Sequence, residues 1–442
     1  MTAVDVTRDA RDLLVELYRA ALDGANIEAL TASAVAAIPV ERRRRVWLFA
    51  AGKAAGSMAT AAIGTLQREL SEIAGGVVIA PGPVTLSTGA VASCVGDHPV
   101  PDRRSFDAAA RIGAVIQQKR GADLGVVLLS GGTSSLIGAP LPGLSEADLS
   151  RLYDLLLRAG IDIHEMNAVR KRFARWAAGR LALALAPART YCFAISDVPG
   201  DDVASIGSGP CVPDPTSIQQ VIDILKRAEL FSKIPTGLRQ YVVDVARGVI
   251  PETPKASHPA FAHVTAQVIA TNTVALKAAA AAARRAGTVP TVHERVLIGD
   301  AATAGAHIAE SLLELRATAK LGTTACALWG GETTVRVPSA IPGGRCQELA
   351  LSAAQRLARA GDAGAGITLL AAGTDGRDGN TEAAGAFVDA GTWAAISAAG
   401  RDPLADLSNH RAHDALASAQ ALFAPGPTGT NVMDVVLGVV RV

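Results

Sequence analysis

Residues 126–136 read VVLLSGGTSSL. An unbroken apolar run stops at two glycines set among hydroxyl side chains, the pattern of a buried strand that ends at a ligand-binding turn and passes into a helix. The pattern recurs along the chain. CFAI at 192–195 leads into SDVPGDDVASIGSGP at 196–210, and ITLLAA at 367–372 leads into GTDGRDG at 373–379; GGET at 330–333 and GGRCQE at 343–348 complete the set. In an open α/β sheet, ligands bind beyond the carboxyl ends of the strands. Glycine lets the backbone approach a phosphate, and the N–H groups at the following helix start bind anions. Acidic residues at the same edge can hold Mg²⁺. The combination points to an enzyme acting on a phosphorylated nucleotide with a divalent metal.

Working outward, apolar runs alternate with helix-length segments. Strands are expected at Val46–Ala50, Gly76–Ala80, Leu124–Leu129, Tyr191–Ile195, Val264–Ala270, Thr323–Trp329 and Ile367–Ala371. Helices are expected at Arg103–Lys119, Glu146–Arg158, Ala301–Ala317, Gln347–Ala360 and Glu382–Ala399. This βαβα order predicts an α/β fold of two domains, each a mostly parallel sheet flanked by helices. Residues 142–187 interrupt it with about three helices and no strand. RGVIPETPKASHPAF at 247–261, with three prolines and little apolar periodicity, reads as the linker. It divides the chain into 1–247 and 248–442.

Composition narrows the function. The 442 residues carry 42 basic and 41 acidic side chains, a net charge of +1, so nothing suggests a nucleic-acid partner. Five cysteines (94, 192, 211, 326 and 346), odd in number and without CxxC spacing, argue against a disulfide framework or zinc and for a reducing cytoplasm. MTAVDVTRDARDLLVELYRAAL, at 1–22, reads as an amphipathic helix and not a signal peptide. No apolar stretch approaches the roughly 20 residues needed to cross a membrane. The sequence leaves monomer and homo-oligomer undecided.

Familiar nucleotide fingerprints are missing. GxxxxGK[ST], GxGxxG and the GxSxG elbow do not occur. Chemistry must therefore lie in the strand-end clusters. Lys53, in VWLFAAGKAAGSMA at 46–59, sits at a tight turn after a strand, where a cation opposes the helix dipole; that favours contact with an anionic substrate over a solvated lysine. Ser130, Gly131, Gly132, Thr133, Ser134 and Ser135 offer donors for a phosphate chain or an acid, against the plainer reading of a capped helix start. Asp197 follows a strand directly and is a metal-ligand or catalytic-base candidate, whereas Asp201 and Asp202 read as caps of the next turn. Arg345 follows Gly343-Gly344, so its planar fork can grip phosphate or carboxylate. Gly331 and Gly344 join the phosphate-binding set. Asp197, Glu332 and Asp375 are metal candidates, and Asp375 and Asp378 read as metal or ribose contacts or as turn formers. His410 and His413 lack a third ligand and read as surface residues.

AAGKAAGSM, GDHPVPD (96–102), LSGGTSSL, NAVRKR (167–172), SDVPGDDVASIGSGPCVPDPT (196–216), GGETTV (330–335), GGRCQELAL (343–351), GTDGRDGNTEAAGA (373–386) and GPTGTNVMD (426–434) occur in order. With these blocks the chain resembles the glycerate 2-kinase family, an N-terminal Rossmann-like glycerate-kinase domain followed by a MOFRL domain. The resemblance implies an active site in the interdomain cleft, ATP with Mg²⁺, and D-glycerate phosphorylated on its 2-hydroxyl. It places Lys53 and Arg345 on the family's phosphoryl- and substrate-handling positions. The chain departs from the family pattern at Lys171-Arg172, at Ala174, Ala177, Ala178 and Gly179, at Cys346 and at Thr133. A hydroxypyruvate reductase using NAD(P)H and a non-catalytic sugar-acid-binding protein are the competing readings.

Overall fold

The computed structural model describes residues 3–39, 45–69, 71–120, 123–338 and 341–442, with the side chains of 3–9 left aside. The chain forms two compact units, Ile27–Ala270 and Met1–Asn26 with Thr271–Val442.

The Ile27–Ala270 unit is built on six strands: β1 (Arg45–Ala51), β2 (Glu72–Ala80), β3 (Val91–Val95), β4 (Leu124–Leu129), β5 (Thr190–Ile195) and β6 (Val264–Ala270). They run parallel in the order β3-β2-β1-β4-β5-β6. This is the doubly wound order of dinucleotide-binding folds, whose crevice opens where the connections reverse, here between β1 and β4. Parallel strands covered on both faces read as continuous apolar runs, and every residue of β4 and β5 is buried. Three helices, Glu146–Arg158, Ile163–Phe173 and Arg180–Leu185, fill the strand-free stretch before β5, as the sequence predicts.

The second unit holds β7 (Val289–Val292), β8 (Thr324–Gly331), β9 (Ile367–Gly373), β10 (Gly385–Asp389), β11 (Leu422–Phe423) and β12 (Asp434–Arg441), in the order β11-β10-β9-β12-β8-β7. This sheet is mixed, not mostly parallel. β12 inserts antiparallel between β8 and β9, β10 pairs antiparallel with β9, and only β7 with β8 is a parallel neighbour pair. Pro290 sits in β7 because an edge strand can spare a backbone donor. The expected helix Glu382–Ala399 is instead β10 followed by a helix at Thr392–Ala398. A short run such as GAFVD is apolar enough for either element, and only its pairing with β9 decides.

The division at 247/248 is also corrected. β6 lies beyond that linker yet hydrogen-bonds along β5, so the first unit extends to Ala270. The N-terminal helix Ala3–Gly24 belongs to the other unit. Its Tyr18, 1% exposed, donates from its hydroxyl to the Gly373 carbonyl at 2.8 Å and meets Phe423 edge-on at 5.0 Å. Of the Arg42–Arg45 run, residues 42–44 lie outside the described residues, and Arg45 opens β1. Four of the five cysteines are buried and all are free. No helix among the described residues is long and apolar enough to cross a membrane.

Tyr18→Phe removes one buried hydrogen bond and should lower the unfolding free energy by about 1 kcal/mol. Urea unfolding followed by circular dichroism measures this; an unchanged midpoint would mean that the helix contributes nothing through that hydroxyl.

Candidate functional site

In the first unit the parallel strands deliver their following residues to one edge. β1 passes to Gly52-Lys53, β4 to Ser130–Ser135 and β5 to Ser196-Asp197. The Ser130 amide donates to the Ala51 carbonyl at 3.1 Å, and the Lys53 amide to the Gly131 carbonyl at 2.8 Å. The Ser130 hydroxyl accepts from the Ala54 amide at 3.0 Å. Gly52 is obligatory: its φ is +128°, and a Cβ there would lie 2.1 Å from Ser130 Oγ.

The glycine–serine loop divides its labour. Thr133 donates from its hydroxyl to the Ala51 and Ser130 carbonyls, both at 2.7 Å, and Ser135 to the Gly132 carbonyl at 3.2 Å. These hydroxyls, with Ser130, build the loop instead of lining it. Ser134 Oγ meets Ser208 Oγ at 2.7 Å. The glycines are what the loop exposes to its neighbours. A Cβ at Gly131 would lie 2.0 Å from Asp197 Oδ2, and one at Gly132 would lie 3.1 Å from His98 Cδ2 and 3.5 Å from Lys53 Cγ. Lys53, His98 and Asp197 thus surround the two glycines. Burial raises the Asp197 carboxyl pKa, and Lys53 pulls it back. The His98 pKa is lowered by burial and by Lys53 and Arg170. Asp202 caps the next turn, accepting from the Ala204 amide at 3.0 Å and the Ser205 hydroxyl at 2.8 Å, as its sequence reading has it.

In the second unit the mixed sheet produces a comparable edge. β12 starts where β8 and β9 finish, so Asp434 lies opposite both Gly331 and Gly373. Glu332 and Asp375 follow those strands at the same edge. Arg345 opens the helix Arg345–Arg359 and is gripped side-on by Asp434, with Nε–Oδ2 2.6 Å and Nη2–Oδ1 2.9 Å. Its Nη1 lies 2.9 Å from Glu332 Oε1. Asp434 and Glu332 together hold the guanidinium firmly protonated, although burial opposes the charge. The arginine is therefore pre-paired and oriented, not projecting unpartnered.

Asp378 turns out to be a helix cap. Its carboxylate accepts from the Cys346 and Gln347 amides at 3.2 and 2.9 Å and from Gln347 Nε2 at 3.0 Å. A Cβ at Gly344 would lie 2.2 Å from Asp378 Oδ1, so a larger residue there would push this cap aside. Gly331 runs against the Leu297 backbone in the same close manner. Asp375 is exposed and accepts from the Arg377 amide at 3.0 Å, a local turn. Among the described residues no group of three or more His, Cys, Asp or Glu side chains converges on a point that could hold a metal. His410 and His413 hydrogen-bond Glu348 and Gln347 at 2.9 and 2.8 Å.

Sequence reasoning missed His98, Arg170 and Asp434 as individuals. The first two lay inside quoted blocks whose backbone context was unknown. Asp434 becomes legible only once the terminal strand is placed between β8 and β9.

The chain matches the family model described as a domain of unknown function (DUF4147) over residues 13–243 and that of the MOFRL family over residues 325–434. It is 35% identical over 402 residues to a D-glycerate 2-kinase of Thermotoga maritima, covering 90% of this chain and 91% of the relative. The chain belongs to the glycerate 2-kinase family. It is an enzyme of the kinase class. The crystal structure of a glycerate kinase from Thermotoga maritima superposes with a TM-score of 0.84 at 32% identity, covering 98% of this chain and 100% of that one. A relative named putative hydroxypyruvate reductase, from Agrobacterium vitis, is 36% identical over 438 residues, 98% of this chain and 95% of its own.

Burial pushes the Asp378 carboxyl up to about 6 despite its hydrogen bonds. In the folded chain it stays neutral up to about pH 6, whereas in the unfolded chain it ionises at about pH 3.9, so stability falls as pH rises from the lower value through the higher. Relative to Asp378→Asn, the wild-type chain should lose up to about 3 kcal/mol of stability between about pH 4 and pH 7. Denaturant curves of both proteins at the two pH values check this; parallel pH dependences would show that the carboxyl titrates normally.

Proposed function

We propose that the protein transfers the γ-phosphoryl group of ATP to the 2-hydroxyl of D-glycerate, giving 2-phosphoglycerate and ADP. One observation carries the reading: Lys53, His98 and Asp197 close around the bare Gly131-Gly132 backbone at the β1/β4 switch point. A cation, a carboxyl held above its ordinary pKa and an open glycine turn are what a hydroxyl nucleophile and an incoming phosphoryl group require. The names of the Thermotoga maritima relatives agree with it.

Asp197 is assigned to accept the proton of the 2-hydroxyl as its oxygen bonds to the γ-phosphorus and the bond to the ADP oxygen breaks. A raised pKa suits a base at neutral pH. Lys53 offsets negative charge beside the loop, and the Gly131 and Gly132 backbone lets phosphate or acid oxygens approach. Arg345, in the second unit, is assigned to binding an anionic phosphoryl or carboxylate oxygen. Asp434, with its side chain 6% exposed, fixes the Nε edge, while Glu332, at 38%, is the partner that an anionic phosphoryl oxygen can displace from Nη1. Asp197 in the first unit, and Glu332 and Asp375 in the second, are each candidate oxygen donors. That suits Mg²⁺, which takes one or two carboxylates and completes its shell with phosphate oxygens and water, so a three-ligand protein cage is not required. When bound with ATP the ion neutralises phosphate charge.

The reductase reading draws on the Agrobacterium vitis relative's name. The turn after β1 reads Ala51-Gly52-Lys53-Ala54-Ala55-Gly56, without the GxGxxG glycines that let a dinucleotide pyrophosphate reach the helix start.

Purified protein with ATP, Mg²⁺ and D-glycerate, coupled to enolase alone, should yield enolpyruvyl product, because enolase consumes the 2-phosphate and not the 3-isomer. Arg345→Ala and Lys53→Ala should each reduce kcat by about 100-fold or more. Oxidation of NADH with hydroxypyruvate in the absence of ATP, with no enolase signal, would overturn the kinase assignment.

A further inference from the structure

The helix Ile163–Phe173 ends in three consecutive cations, Arg170, Lys171 and Arg172, which are 7%, 3% and 1% exposed. Two of them have carboxylate partners. Lys171 Nζ donates to the Ala204 carbonyl at 3.0 Å and lies 3.4 Å from Asp214 Oδ1. Arg172 is surrounded by Asp214, Glu252, Thr216 and Thr253. Arg170 is different. No carboxylate among the described residues pairs with it, and its Nε and Nη2 are buried with no hydrogen-bond partner among those residues.

Those two atoms form the guanidinium edge that takes a carboxylate side-on. The same chain shows the edge in use twice: Arg345 turns Nε and Nη2 to Asp434 at 2.6 and 2.9 Å, and Arg401 turns them to Asp406 at 2.7 and 2.8 Å. In Arg170 that edge is buried, and no acceptor among the described residues takes it. Its position is fixed from behind, since the guanidinium carbon stacks 4.5 Å from the centre of the Tyr153 ring. The Tyr153 hydroxyl donates to the Ser134 carbonyl at 3.1 Å, which seats this stack against the glycine–serine loop. The charge also reaches His98, whose contact with Gly132 places it at the same loop. Burying a cation without a partner is costly, and a guanidinium does not escape the cost by losing its proton. Such a group, held rigid by an aromatic ring, is pre-organised for an anion that arrives from outside the chain.

We propose that Arg170 is the seat of the carboxylate of a small hydroxy-acid substrate, and so the residue that selects an acid over the corresponding neutral alcohol or amide. A single planar fork neutralises one negative charge, which matches a carboxylate; a triphosphate brings several charges and needs several cations. The proposal rests on the reading that this unit accepts a 2-hydroxy acid, but it is tested by binding and not only by turnover.

Calorimetric titration of the full chain with D-glycerate, glyceramide and inorganic phosphate, with and without nucleotide, should show glycerate bound and its uncharged amide not bound. Arg170→Met should weaken glycerate binding, and raise its KM, by about 100-fold while leaving the KM for ATP within about 3-fold. Arg170→Lys should recover only part of the loss, because an ammonium cannot form the fork. Should Arg170→Met fail to fold, Arg170→Lys carries the test through the same KM comparison. Glycerate binding unchanged in these variants, an ATP KM that rises in step with the glycerate KM, equal binding of glyceramide, or a wild-type chain that binds no 2-hydroxy acid would each overturn the seat. A wild-type chain that binds glycerate in an Arg170-dependent way but transfers no phosphoryl group would sink the kinase reading and leave the seat standing.

Discussion

Gly52 and Ser130 approach so closely that one added carbon on the glycine would lie 2.1 Å from the serine oxygen. This contact ties the turn after β1 to the turn after β4, and the order of the sheet makes it possible. Connections reverse between these strands, so their loops diverge and leave the strand ends bare. The Ser130 hydroxyl then substitutes for backbone in accepting the Ala54 amide, which fixes where Lys53 begins. A larger residue at either position would separate the cation from the glycine pair that it flanks.

The second unit reaches a charged edge by a different route. Its terminal strand enters antiparallel between two strands that end together, so the first residue of β12 meets the last residues of β8 and β9. Asp434 thereby comes under Arg345, and two carboxylates hold one guanidinium. A buried arginine left alone would be costly; paired on one edge and half-paired on the other, it is oriented and still exchangeable. Asp378 serves the same helix from below as a cap, which frees the first turn from needing a side-chain cap of its own at Gly344.

The helix Ile163–Phe173 shows how burial sorts residues of one chemical type. Lys171 and Arg172 are internal counterions for Asp214, and they bind the helix to the segments around Thr216 and Glu252. Arg170, one residue earlier, stacks on Tyr153 and has no carboxylate partner among the described residues. Helical geometry turns neighbours by about 100°, so adjacent cations serve unrelated purposes.

Much of this was legible in the chain. Fully buried strands announce themselves as apolar runs, as β4 does; β6, an edge strand buried only at its last two residues, also falls where its apolar run puts it. Glycine and aspartate clusters at strand ends pointed to Lys53, Ser130–Ser135, Asp197 and Glu332 as candidates, and the Gly343-Gly344 pair to Arg345, because a strand end in an α/β sheet is where ligands reach backbone. The sequence by itself determined the α/β class, the turn positions and the residue types that turns and anions demand, since these follow from local sterics and short-range periodicity. Tertiary structure alone decided that β12 runs antiparallel, that GAFVD is a strand, that β6 completes the first sheet and the N-terminal helix joins the second unit. It also decided that Asp434 grips Arg345, that Asp378 caps a helix and that Arg170 finds no carboxylate among the described residues. Each of these depends on which distant segments pair, and pairing is settled by the burial and hydrogen bonding of the whole sheet, which no local window of sequence contains.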